Sequence, residues 1–268
     1  MANPAGSVIV RSKDSATTIE AALGSLRRQT VQLEVVVVDS GSTDGTLELA
    51  RRFADRLVEI PAGTYNSGHA LNLGVEHAGG EILFALSSHC ILPHDEWVER
   101  ALAMYERDDV AATGGNASTP YDEPLLDTWY QRIEDVRANP FWGFSNHASS
   151  WRRRAWSEHR FLEGPTAEDK EWAKRVLEAG WTIAFHPALV VEQRHRWRTG
   201  ALAYFKRERA EQGAVARNVW MPDYGLRQVV REWMTPPDNE HSALFHLLNY
   251  RRAAGLLGKY IGIREARR

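Results

Sequence analysis

The sequence predicts an α/β fold with a mostly parallel sheet flanked by helices. Short apolar runs alternate with stretches of helical spacing from Ser7 to Thr113, the rhythm of βαβ units with right-handed crossovers. Four consecutive valines, Val35 to Val38, suit a strand buried on both faces. The runs end on polar residues followed by turns, where open α/β sheets place their ligands.

The elements follow in order. Ser7 to Arg11 is a first apolar strand, and Ile19, Leu23 and Leu26 give Ala16 to Arg28 helical spacing. Glu34 to Asp39 is the valine strand. Ser42 or Thr43 is a candidate cap for a helix running through Ala50 and Phe53. Leu57 to Ile60 reads as a strand, Asn66 to His77 as a helix, Glu81 to Leu86 as a strand, Asp95 to Tyr105 as a helix and Val110 to Thr113 as extended chain. Near Gly114 the rhythm gives way to a stretch rich in Pro, Gly and aromatics that lasts to Ser150. Ala167 to Ala179 is a helix stopped by Gly180, and Trp181 to Phe185 and Leu189 to Val191 read as strands. From Thr199 the chain is helical, with polar breaks at Met221 to Tyr224 and Thr235 to Asn239. The predicted division is 1–200, with a first half 1–114 and a second half 115–200, followed by a helical extension 201–268.

Composition narrows the function classes. With 268 residues, 43% hydrophobic and 25% charged, the chain has the make-up of a globular protein with a large core. A net charge of −2 gives no electrostatic reason to expect nucleic acid. The single Cys90 excludes an internal disulfide and suits a reducing cytoplasm. No apolar run approaches a membrane span, and Met1 to Ser12 has no signal-like apolar segment. Ten tryptophans serve either as core packing or as platforms for a sugar ring. Trp151 to Arg154 reads as a basic turn, with phosphate binding left open. From Glu240 to Arg268 six Lys or Arg stand against two Glu. Leu244, Leu247, Leu248, Leu256, Leu257 and Ile261 are interleaved with them. Such a segment packs on the domain or a second subunit, or lies on an anionic membrane.

Four segments carry chemistry. Val8 to Asp14 is a strand leading into a polar loop. Val38 to Thr46 delivers Asp39 from the valine strand into a Ser- and Gly-rich turn. There a carboxylate either bonds backbone N–H groups or meets a base or ribose. Asn66 to Gly74 opens a helix and is followed by Gly80, Glu81 and a strand ending in Ser87, Ser88, His89 and Cys90. Glu168 and Asp169 start a helix, whose positive dipole end favours ionised carboxylates, and Ala179-Gly180-Trp181 follows it.

In this order and spacing the segments, over about residues 6 to 200, resemble glycosyltransferase family two, with the GT-A fold. The resemblance implies a GT-A-like nucleotide-binding half and an acceptor half. It implies an inverting enzyme that moves a hexose or deoxyhexose from a UDP- or dTDP-sugar to a hydroxyl acceptor on a glycan, lipid carrier or small molecule. By the same resemblance Asp169 is the base, with Glu168 as second choice. Arg11, Lys13, Asp39, Asn66, Gly68, Asn72 and Ser88 belong to the nucleotide site, with Asp39 reading the base. Trp142, Asn146 and His147 belong to the acceptor wall. The family's two metal-binding aspartates align with Ser87 and His89, and a later family histidine aligns with His195. His89 and His195 then share a divalent cation, Mn²⁺ or Mg²⁺, with Mn²⁺ the better match to imidazole. Otherwise His89 meets the diphosphate directly and no metal is needed.

Two competitors remain. A sugar nucleotidyltransferase would want a glycine-rich phosphate loop, and Ser12-Lys13-Asp14-Ser15 has no glycine. A pseudoenzyme that only binds a nucleotide sugar accounts for the lost aspartates but not for Glu168 and Asp169. The expected partners are a nucleotide-sugar donor and a hydroxyl-bearing acceptor. Peripheral membrane contact or a homo-oligomer through the C-terminal helices is a further expectation, with a cytoplasmic location that extends to the inner membrane face.

Overall fold

The apolar runs assemble into one mixed sheet whose valine strand is buried on both faces. The computed structural model describes residues 5–164, 166–194, 200–221, 223–235 and 249–268. The chain divides into two units, Met1–Gly164 with Glu168–His195, and Pro165–Ala167 with Arg196–Arg268.

The first unit begins with β1 (Ser7–Ser12), α1 (Ile19–Arg27), β2 (Glu34–Asp39), α2 (Thr46–Ala50), β3 (Arg56–Glu59), α3 (Ser67–His77) and β4 (Ile82–Ser87). A short β5 (Cys90–Ile91), α4 (Trp97–Ala103) and β6 (Val110–Gly114) follow. Then come β7 (Trp129–Gln131), α5 (Ile133–Ala138), β8 (Ala148–Arg152), α6 (Arg153–Glu158), α7 (Glu168–Glu178), β9 (Thr182–Phe185) and β10 (Glu192–Gln193). The eight-stranded sheet has the order β3-β2-β1-β4-β8-β6-β9-β7, and β5 pairs with β10 in a separate ribbon. The strands from β3 to β4 are parallel, while β8 runs antiparallel to β4 and β6. The register sets Ser12 beside Asp39 and Arg11 beside Ser87, so the carboxyl ends of three strands share one edge.

One apolar layer packs Val8, Val10, Val35 and Val37 against Ile19, Leu23 and Leu26 of α1 and Trp97 and Val98 of α4. The aromatics of the second half form a cluster of their own. Phe144 and Phe161 meet Trp172 at ring-centroid distances of 4.9 and 5.2 Å, and Trp151 meets Phe161 at 5.2 Å. Trp97, Trp151 and Trp172 are among the largest fully buried side chains, so these tryptophans are packing residues.

The structure corrects several boundaries. α2 begins at Thr46 after Gly45 at φ 95°. Ser42 does not cap it, because its hydroxyl is committed to Asp39. Leu189 to Val191 is not a strand: Pro187 starts a 3-10 turn and the His186 side chain accepts the Ala188 N–H at 3.0 Å. The strand comes later, at Glu192. The basic turn serves the backbone. Arg152 donates to the carbonyls of Val110, Tyr105 and Arg107. Arg153 donates to those of Gly80, Val75 and Ala78. Arg154 pairs with Glu158. Three arginines thus satisfy carbonyls and a carboxylate at the far ends of the strands.

The second unit contains α8 (Ala201–Asn218), α9 (Leu226–Met234) and α10 (Tyr250–Ala266). A Cβ on Gly258 or Gly262 would collide with the Phe205 or Arg209 carbonyl oxygen, so these glycines let α10 lie close against α8. Arg209 clasps Glu265 through two bonds of 2.8 and 2.7 Å. Leu244, Leu247 and Leu248 of the expected amphipathic tail lie outside the described residues. No helix among the described residues is long and apolar enough to cross a membrane.

Candidate active site

The edge where β1, β2 and β4 end is built from two loops and two side-chain networks. The loop after β1 is laced to the loop after β2. Lys13 Nζ donates to the Gly41 carbonyl at 2.6 Å, Asp14 N–H to Ser42 Oγ at 2.8 Å and Thr43 N–H to Asp14 Oδ1 at 2.9 Å. Asp14 adopts φ 42°, a left-handed conformation that Asp and Asn tolerate better than most residues.

Asp39 lies beneath this lacing and is buried. Its carboxylate accepts from Ser12 Oγ at 2.6 Å and from the N–H and hydroxyl of Ser42, both at 2.7 Å. Three of roughly four acceptor positions on a carboxylate are thereby used within the protein. Asp39 therefore fixes the loop that would face a nucleotide.

The second network centres on Arg11. Its guanidinium donates to Ser67 Oγ, to the Asn146 carbonyl at 2.6 Å and to Ser87 Oγ at 3.4 Å. Ser67 in turn donates to Glu168 Oε1, which also accepts from Asn146 Nδ2 at 3.3 Å and lies 3.7 Å from Arg11. Both charged side chains are largely buried, with 11% and 10% of their area exposed. Burial of opposite charges is tolerated because each is paired and hydrogen-bonded. The network joins β1, the start of α3, the tip of β4, the segment before β8 and the start of α7.

Asp169 follows Glu168 at the head of α7 and is half-buried. Its carboxylate accepts from the N–H of its neighbour Lys170 at 2.8 Å. Burial pushes its pKa above the usual aspartate value and the Glu168 charge adds to this, while Lys170 and Arg11 oppose it. A raised carboxylate pKa brings basicity closer to what a general base needs near neutral pH. Lys170 reaches back to the carbonyls of Phe144 and Gly143 at 2.8 and 3.2 Å.

The tip after β4 is tied down on both sides. Ser87 N–H donates to the His147 carbonyl at 2.8 Å, and Ser88 Oγ lies 2.8 Å from Ser15 Oγ. The His89 and His147 rings meet edge to face at 5.9 Å. The Arg194 N–H donates to the His89 carbonyl at 2.8 Å, and the β5–β10 ribbon draws Glu192 and Gln193 beside the tip. His195 lies outside the described residues. Among the described residues no three His, Cys, Asp or Glu side chains cluster as a metal site. Cys90 is buried, and desolvation raises its thiol to about 12, so it is no nucleophile.

The helix-start residues hold the chain leading to α7. Asn66 caps α3 by accepting from His69 N–H at 3.0 Å and donates to the Gly164 carbonyl. Asn72 is buried. It donates to the Phe161 carbonyl at 2.9 Å and to Glu163 at 3.0 Å, and accepts from Trp156 Nε1 at 2.9 Å and Phe161 N–H at 3.2 Å. A Cβ on Gly68 would collide with the Leu162 carbonyl. Gly68→Ala should therefore displace the segment before α7 at a cost of about 1–3 kcal/mol and lower turnover. A urea melt superimposable on that of the native chain would contradict this close approach.

Of the expected acceptor residues, Asn146 belongs to the Arg11 network and His147 to the tip. Trp142 is buried, donates its indole N–H to the Ser118 carbonyl at 2.7 Å and packs on Phe185 at 4.6 Å, which leaves little ring face for a sugar. Ser67 is the member that the sequence reading missed. It lies 101 residues from Glu168 in the chain, and only its place after the Asn66 cap hinted at a role.

Residues 7–177 match the model of glycosyl transferase family 2. The chain belongs to glycosyl transferase family 2. As a member it is a glycosyltransferase. A mannosyltransferase from Pyrobaculum calidifontis, solved with GDP-Man and Mn²⁺, superposes with a TM-score of 0.64 at 20% identity, over 95% of this chain and 74% of the other. Glucosyl-3-phosphoglycerate synthase from Mycobacterium tuberculosis, solved with Mn²⁺, UDP and glucosyl-3-phosphoglycerate, gives 0.59 at 19% identity, over 82% and 81%. These likenesses establish the GT-A-like fold. Among relatives by sequence, the glycosyltransferase AglE of Haloferax volcanii is 31% identical over 69% of this chain and 67% of its own length. The O-antigen chain rhamnosyltransferase WbaN of Salmonella anatum is 24% identical over 65% of this chain and 60% of its own length.

Proposed function

We propose that this chain is an inverting glycosyltransferase that moves a hexose or deoxyhexose from a UDP- or dTDP-sugar to a hydroxyl of a glycan, lipid carrier or small molecule. The observation that carries the reading is the pair at the head of α7. Glu168 is held by Ser67, Asn146 and Arg11, while Asp169 beside it has a raised pKa. In this reading Asp169 takes the proton from the acceptor hydroxyl as that oxygen attacks the anomeric carbon. The bond from that carbon to the diphosphate breaks, and its electron pair leaves with the diphosphate. Glu168 and Arg11 position the helix head. The Asp39 turn, with Lys13 at its rim, shapes the nucleotide pocket, and Ser88 supports its edge.

In this reading, by resemblance, Ser87 and His89 take the places of the family's metal-binding aspartates. An imidazole and a hydroxyl fit a cation whose other ligands are the donor's own phosphate oxygens, and by resemblance His195 would join them. Such a cation would neutralise charge on the leaving diphosphate. Its affinity in the absence of nucleotide should be low, because no tip carboxylate contributes.

A thermal-shift panel of nucleotide sugars, with Mn²⁺ and with EDTA, tests the reading, since a ligand that binds the folded state raises apparent stability. UDP- or dTDP-sugars should raise the melting temperature, and Mn²⁺ should enlarge that shift while doing little alone. A panel without any shift would remove the nucleotide site. Binding without turnover would favour the pseudoenzyme, the reading that the absent aspartates support.

A further inference from the structure

We infer that α9 is a docking face for an anionic lipid surface. The helix is short and amphipathic, and its apolar side is turned outward. Leu226, Val230 and Trp233 follow the i, i+4, i+7 spacing of a single helix face. All three are exposed, Leu226 by 63% and Val230 by 44%. The opposite side is the one that docks within the second unit. Glu232 accepts from Lys259 of α10 at 3.0 Å and from the Tyr224 hydroxyl at 2.8 Å, and its carbonyl accepts from Arg252 at 2.5 Å. The packing therefore fixes which face is presented.

Charge selects the occupant. Arg227 and Arg231 are exposed and lie one turn apart along the border of the apolar face. This is where guanidinium groups reach phosphates while their stems cover apolar area. The asymmetry extends over the chain. Residues 201–268 hold twelve Lys and Arg against seven Asp and Glu, net +5, although the whole chain carries −2. The remaining residues therefore carry −7. A surface with a negative potential attracts residues 201–268 more than the rest of the chain. Two copies meeting antiparallel through α9 would bring their Arg227 and Arg231 side chains together along one edge, a like-charge contact that disfavours a second chain as occupant. With no spanning helix among the described residues, the contact is peripheral. It is independent of the donor and acceptor proposed above.

The experiment is co-sedimentation of the full chain with phosphatidylcholine vesicles that contain or lack phosphatidylglycerol, at low and high salt. Binding should require phosphatidylglycerol and weaken with salt. Arg227→Ala with Arg231→Ala keeps good helix formers at both positions and should weaken binding roughly 30-fold. Val230→Glu with Trp233→Glu should abolish binding. In every variant the nucleotide-induced thermal shift should match that of the native chain, which separates a lost surface from a lost fold and this inference from the catalytic reading. The inference is overturned if the native chain stays in solution with anionic vesicles, or if both double variants bind as the native chain does. It is also overturned if sedimentation velocity finds a native dimer that the glutamate variant dissolves while vesicle binding persists.

Discussion

Asp169→Asn should leave donor affinity nearly intact and lower turnover by roughly 10²–10⁴, the usual contribution of a positioned general base. The substitution keeps the shape at the head of α7 and removes the basicity. The pH dependence has a definite sign. The base acts only when ionised, and burial with the neighbouring Glu168 raises its pKa. Turnover should therefore rise with pH through a range above that of an ordinary aspartate. Glu168→Gln removes one of the raising influences and should move that limb to lower pH. Initial rates across pH for the three proteins decide the matter. An Asp169→Asn enzyme with native turnover would move the role to Glu168 or to no side chain.

Arg11→Met should destabilise the fold by about 3–5 kcal/mol, the cost of leaving one member of a buried ion pair without its partner. Glu168 would keep its bonds from Ser67 and Asn146 but lose the only cation within 4 Å among the described residues. Adding Glu168→Gln should recover part of the loss, so the double variant should be more stable than the sum of the single effects allows. Denaturant melts of the four proteins measure this coupling. If Arg11→Met falls within about 0.5 kcal/mol, as ordinary surface substitutions do, the network is not what holds the head of α7.

The sequence exposes what is local. The run Val35 to Val38 marks the central parallel strand, and Asp39 at its end marks the site edge, because alternation and turn chemistry act over a few residues. β8 is hidden for the opposite reason. Its residues Ser149 and Ser150 look like loop, yet β8 lies between β4 and β6. Ser150 Oγ finds Thr113 Oγ1 at 2.7 Å and the Tyr105 hydroxyl at 2.8 Å, so its polarity is satisfied by distant partners that no local pattern reveals. The site divides in the same way. Glu168 and Asp169 are visible as acids opening a helix. The bridge from Arg11 through Ser67 to Glu168 is a long-range arrangement, and the duties of Asn66 and Asn72 in holding residues 161–164 emerge only from the packed structure.

The most direct test of the account is the anomeric configuration of the transferred sugar, read by proton NMR from the donor that gives the largest thermal shift. With one base at the head of α7 and a single displacement, the product should carry the configuration opposite to the donor's, and its formation should collapse in Asp169→Asn. Retained configuration, or inverted product formed at the native rate by Asp169→Asn, would contradict it.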